Sequence, residues 1–307
     1  MNAHVIAPPA AQLALDGRVA RVVVTATLTT AVLVHGSGAQ SLQFALLAFG
    51  MMVTGLPHGA VDHRVGVGAL GLRPLKFYVA YLAIMATYAG LWFIWPSAGL
   101  VGFLVTSAWH FGEGDVRGWR ELRGWRVAFV AWTRGILVVG GLLYADSKIS
   151  GAHLFALGAS DFLFEGSRAI VLWCGVFAGF AAWWSTGSRL TQGWDRLIET
   201  LTLTAWLLAA EPTLAFALYF SLWHSPGHLG TLGQTRRSPT SVSQWLKLCG
   251  VYTAISAAGI ASVVWWAADR FDLDALAGFG LAALACIAIP HIVVVELWRR
   301  REWTSWS

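Results

Sequence analysis

Residues 276–297 read LAGFGLAALACIAIPHIVVVEL, an apolar run with a single charge, Glu296, and with Pro290-His291 set deep inside it. About 20 such residues cross the hydrocarbon of a bilayer as a helix. Arg299, Arg300 and Arg301 follow directly, where a cytoplasmic flank would place them. Nine further stretches have the same character, at about 20–36, 41–60, 77–95, 97–112, 127–144, 169–184, 195–210, 212–225 and 248–267. The segment from His153 to Phe164 is apolar but too short to span and reads as an interfacial or re-entrant piece.

Composition agrees with these runs. Of 307 residues, 57% are apolar and 12% charged, against roughly 45–50% and 25% in soluble domains. Mean hydropathy is +0.61. Disordered, coiled-coil, collagen-like and disulfide-stapled secreted classes are excluded together. The expected fold is an all-α, polytopic transmembrane helix bundle of about ten helices with both termini cytoplasmic. Its organisation reads as an N-terminal tail (1–18), one transmembrane domain (19–298) and a basic C-terminal tail (299–307).

The excess of 21 Lys and Arg over 16 Asp and Glu could suggest nucleic acid as a partner. The positions argue otherwise. Basic residues gather in alternate short loops, leaving only Lys148, Arg168 and Arg270 outside and Arg134 within a helix. This is the charge bias that orients membrane helices, and it places the protein in the cell inner (plasma) membrane with no nucleic-acid role. Arg18, Arg21, the apolar stretch behind them and Ser37-Gly38-Ala39 also fit a cleavable signal. That alternative leaves the rest of the topology unchanged. Cys174, Cys249 and Cys286 lie within apolar runs, form no CxxC and read as packing residues.

Topology sorts the nine histidines. His4 belongs to the N-terminal tail, and His35 and His153 to the outer side. His58, His63, His110, His224, His228 and His291 all fall near the cytoplasmic ends of even-numbered helices, which predicts one layer of imidazoles. A lone intramembrane histidine is usually a hydrogen-bonded packing residue; six at one depth point to a site. Neutral imidazole suits Fe, Cu, Zn and Ni. His224 and His228 share a helix face and fit one ion. Pro57, Pro226 and Pro290 adjoin these histidines, so the helices are expected to open around the site. Asp62, Glu113, Asp115 and Glu296 stand close enough in sequence to orient imidazoles, with Asp62, Asp115 and Glu296 as the candidate second partners. Arg134 needs an anion, for which Glu296 or Asp62 would serve. Many of the 18 Trp fit interfacial belts, whereas Trp109 and Trp223, beside histidines, would suit a flat conjugated ligand.

Four motifs occur in order: GLPHGAVDH (55–63), SAWHFGEGD (107–115), LWHSPGH (222–228) and IPHIVVVE (289–296). Together they resemble the Brp/Blh family of membrane β-carotene 15,15′-dioxygenases. The resemblance implies a non-haem Fe(II) enzyme that uses O2 to cleave β-carotene, or a related carotenoid, into two molecules of retinal. Carried onto this sequence, it implies His58, His110, His224 and His228 as iron ligands, with His63 and His291 also at motif positions. No catalytic residue beyond the ligands is implied. Three other classes stay in view: a His-cluster lipid hydroxylase, a bis-histidine haem electron carrier and a metal or substrate transporter. The single HxxxH, the confinement of the histidines to one face and the lack of a clear internal repeat weigh against them in turn.

Overall fold

The computed structural model describes residues 39–304, apart from 118, 120, 121, 145, 147–149, 151–167, 187–189 and 233–241. All regular structure among the described residues is helical, arranged as nine rods. Rod α1 runs through Ala39–Gly50, Met51–Gly55, Leu56–Ala60 and Arg64–Ala69. It is followed by α2 (Pro74–Ile94), α3 (Pro96–Val116), α4 (Trp125–Tyr144), α5 (Arg168–Ser185) and α6 (Leu190–Ala209). Rod α7 comprises Pro212–Leu218, Tyr219–His224 and Ser225–Leu232; α8 is Val242–Ala268 and α9 is Leu273–Thr304. Sequence reading expects ten helices; the first, at 20–36, lies outside the described residues, as does the His153–Phe164 segment. Helix α9 continues to Thr304, so the start of the basic C-terminal tail is its last turn.

Among the described residues, six helices are long and apolar enough to cross a membrane: Ala45–Ala69, Pro74–Ile94, Trp125–Tyr144, Arg168–Ser185, Lys247–Ala268 and Gly278–Arg301. Burial runs opposite to that of a soluble protein. Phe93 is 89% exposed and Trp265 78%, while Asp62, Glu113, Asp115, Arg134 and five histidines are buried. An apolar exterior of this kind suits a lipid surrounding, in which polar groups retreat to the interior where they find partners. Helices α3, α6 and α7, which fall outside the six, carry much of that buried polarity: His110, Glu113, Asp115, Thr200, Thr204, His224 and His228.

Local sequence explains the joints. Trp95 ends α2 in a non-helical conformation and Pro96 opens α3 at once, because a residue before proline is disfavoured in the helical region. Consecutive helices α3, α4, α5 and α6 pack side by side, α7 lies against α1, and α9 contacts α2, α3 and α8. The α3–α4 contact is a meeting of backbones. A Cβ on Gly112 would stand 1.8 Å from the Ala131 carbonyl oxygen, and one on Gly135 1.6 Å from that of Ala108. Membrane helices approach this closely only through small residues. Here the approach sets Asp115 beside Arg134. A core of Phe111, Leu137, Val138, Leu207, Tyr219 and Phe220 fills the space where α3, α4, α6 and α7 meet.

Candidate metal centre

Two prolines act on the helices that present histidines. The Pro57 ring would meet the carbonyl of residue 53, and the Pro226 ring that of residue 222. In both places the preceding turn is wide: Leu56 N–H donates to the Met51 carbonyl and Ser225 N–H to that of Phe220, five residues back. Such π turns concentrate at functional sites. Thr54 Oγ1 donates to the Ser221 carbonyl at 2.8 Å, tying one wide turn to the other. Pro290, by contrast, sits inside an unbroken α9, so the expected opening occurs at two of the three prolines.

Five imidazoles converge. The His58 ring lies 4.7 Å from that of His291 and 5.6 Å from those of both His224 and His228. His110 lies 4.8 Å from His224 and 5.1 Å from His291, and His228 lies 5.2 Å from His291. Nitrogens of His58, His110 and His224 all fall within 4.8 Å of one another. Nε2 of His224 faces Nε2 of His110 at 3.2 Å.

Their outer nitrogens explain the orientation. His58 Nδ1–H donates to the Gly55 carbonyl, with Ser225 Oγ 3.4 Å away, which leaves the Nε2 lone pair free to bind. His291 Nδ1–H donates to Asp62 Oδ1 at 2.8 Å, and Asp62 Oδ2 accepts from Tyr81 at 3.1 Å. Carbonyl or carboxylate behind an imidazole is how metal-binding histidines are held in tautomer and orientation. Meanwhile Nδ1 of His224, Nε2 of His228 and Nε2 of His291 are buried with no hydrogen-bond partner among the described residues. An unsatisfied buried nitrogen costs about 1–3 kcal/mol. Several within one cluster of converging rings fit a cation that accepts imidazole lone pairs.

Other expected residues sit elsewhere. His63 leaves the cluster: its Nδ1 donates to the Ala60 carbonyl at 2.9 Å and its ring lies 4.6 Å from Tyr252. Arg134, 1% exposed, finds its anions in Asp115 (2.9 Å) and Glu199 (3.1 Å), rather than in Glu296 or Asp62. The reason is the glycine-mediated contact of α3 with α4, together with the packing of α6 on α4. Thr200 accepts from the same guanidinium at 2.8 Å, and Trp119 and Trp223 flank it at 5.9 Å. The Asp115 oxygens are taken up by Arg134 and by the Tyr219 hydroxyl, and Tyr219 stacks near His224 with ring centres 6.3 Å apart. Asp115 thus reaches the cluster through Tyr219. Glu296 pairs with Arg299 and Arg300 and accepts from the Trp109 indole at 3.3 Å; Glu113 pairs with Arg117. Trp109 and Trp223 therefore serve ionic clusters and do not line the cavity described next.

His58, His110 and His291 of the cluster open into a cavity of about 1290 Å³. Its walls are chiefly apolar and aromatic, with Phe111, Phe216 and Phe220 near the histidines and Trp92, Trp266 and Phe279 farther along. The description β-carotene 15,15′-dioxygenase matches residues 49–299, which hold all five clustered histidines. The chain belongs to this family. Among its relatives is a probable β-carotene 15,15′-dioxygenase, Blh, of Halobacterium salinarum, 27% identical over 82% of this chain and 83% of the relative. The Brp protein of the same organism, with the same probable activity, is 26% identical over 82% of each chain. A β-carotene 15,15′-dioxygenase from an uncultured marine bacterium is 23% identical over 79% of this chain and 89% of its own. No solved structure matches.

Proposed function

We propose that the protein is a membrane-embedded non-haem Fe(II) dioxygenase that uses O2 to split β-carotene at its central double bond into two molecules of retinal. The observation that carries this reading is the set of inward-facing, partly unpartnered imidazole nitrogens at the head of a long apolar cavity. Neutral nitrogen donors suit a borderline metal such as iron. His58, His110, His224 and His228 would hold it, with Nε2 of His291 as a fifth donor. Bound Fe(II) supplies the O2 chemistry that saturated side chains lack.

The remaining work falls to the protein. Gly55 and Asp62 hold the His58 and His291 rings in the tautomer that turns Nε2 inward. Phe111, Phe216 and Phe220 exclude water and place a polyene against the histidines. β-Carotene is all hydrocarbon, so a site within the bilayer receives it without passage through water. The reaction is balanced without an added reductant: the double bond is broken, and each oxygen atom ends as one aldehyde carbonyl. Arg64 and Arg73 follow the histidines of α1, Arg117 follows that of α3 and Arg299 that of α9, which favours a cytoplasmic placement for that end and for the chain termini.

Expression in a bacterium that accumulates β-carotene tests the reading. Loss of orange colour with retinal appearing is the expected result. Unchanged pigment alongside folded, iron-loaded protein would overturn it.

A further inference from the structure

Resting on that reading, we propose that the apolar polyene reaches the metal centre sideways from the lipid, through a slot between α2 and α8. The cavity is lined along α2 from Phe77 to Phe93 and along α8 from Tyr252 to Trp266. At 1.5 Å per residue, each wall is about 20–24 Å long. These two helices are the least enclosed of the six spans, with 11% of each buried against 39–44% of the others. Leu82 on α2 and Ile255 on α8 both line the cavity while being 55% and 63% exposed. A side chain that faces the cavity and the surroundings together marks an opening. Both helices pack on α9, which floors the slot. The Tyr78 and Tyr252 hydroxyls meet at 2.5 Å and bridge α2 to α8, marking the slot's end beside the histidines.

Three other approaches are closed to a hydrocarbon. Helices α3 and α4 touch backbone to backbone at Gly112 and Gly135. Behind His224 lies the charged group of Asp115, Arg134 and Glu199. The end of the bundle carries the Glu113–Arg117 pair and the Glu296 pairs with Arg299 and Arg300. A polyene would have to desolvate those charges to pass. The slot asks only that lipid chains give way to a molecule equally apolar.

Gly259 provides the test. It lines the slot on α8, and a Cβ there would meet no heavy atom within 4 Å, so Gly259→Trp places an indole in the opening without moving backbone. Ala261 is two residues on, on the opposite side of α8, exposed and outside the cavity lining; Ala261→Trp is the control. Two quantities are measured: β-carotene retained by metal-free protein purified from carotenoid-producing cells, and kcat/KM of iron-loaded protein in vesicles. Gly259→Trp is expected to lower both by about ten- to a hundredfold with iron content unchanged, and Ala261→Trp to leave both at the parent value. If Gly259→Trp does not fold, Leu82→Trp on the facing wall carries the same expectation. Parent-like retention and turnover in the folded slot variant would overturn the proposal. Should the parent protein bind β-carotene yet release no retinal, the dioxygenase reading fails, while retention still reports on the slot.

Discussion

Two groups of buried polar side chains lie five residues apart on α3, at His110 and Asp115, and they are finished differently. Around Arg134, five donors and acceptors close on one another: Asp115, Glu199, Thr200 and Tyr219 account for the guanidinium and for both Asp115 oxygens. Around His110 the rings converge just as tightly, yet nitrogens of His224, His228 and His291 have no partner among the described residues. The first arrangement is complete as protein. The second is complete only with something added. Buried polar groups are ordinarily satisfied, so the difference separates a structural knot from a binding site more sharply than burial or charge alone.

The contrast breaks most visibly at the histidines. His110→Ala or His224→Ala should abolish bound iron and bring retinal formation to background, with little change in the melting temperature of metal-free protein, because the nitrogens lost were not holding the fold. A large drop in that temperature would mean that the rings are structural. Arg134→Met should do the reverse. Leaving buried Asp115 without its cation costs about 3–5 kcal/mol, read by denaturant unfolding in detergent, while Glu199 keeps Arg196 and protein that remains folded keeps its iron. Replacing Asp115 as well by an apolar residue of similar volume should restore much of the loss.

Asp62 stands between the two groups, since it is charged like the knot but bonded to the cluster. Asp62→Ala should weaken iron binding about 10–100-fold, seen in chelator competition, with a smaller loss of stability than at Arg134. Equal iron affinity in that variant would remove His291 from the ligand set. The smallest effect belongs to Glu296, whose partners Arg299 and Arg300 reach the surface. Glu296→Gln should change stability by less than about 1 kcal/mol and leave iron binding unaltered.

Helix positions among the described residues, and the gathering of histidines from separate helices, were legible in the sequence, because apolar run length and charged flanks act locally along the chain. Azimuth was less so. His58 and His63 share a rod and nearly a depth, but five residues turn a helix by about 140° beyond a full revolution, and His63 is carried round to Tyr252. His224 and His228, four apart, stay on one face and both arrive. The partners of Arg134 depended on which helices touch, and Gly112 and Gly135 decide that across a sequence distance no local pattern spans. Tyr81 and Tyr252 carried no signal beyond ordinary apolar packing; their hydroxyls acquire meaning only once α2 faces Asp62 and α8.

The wide turns at Met51–Gly55 and Tyr219–His224 have a consequence for how the protein tolerates change. Each holds one residue more than a regular turn needs, and one residue is worth about 100° of rotation. Deleting a single residue from the second would give a straighter helix with better backbone geometry, and would swing His224 and His228 together out of the ring of imidazoles. Here regularity and chemistry pull in opposite directions, and a shortened chain that folds well would be blind to its metal.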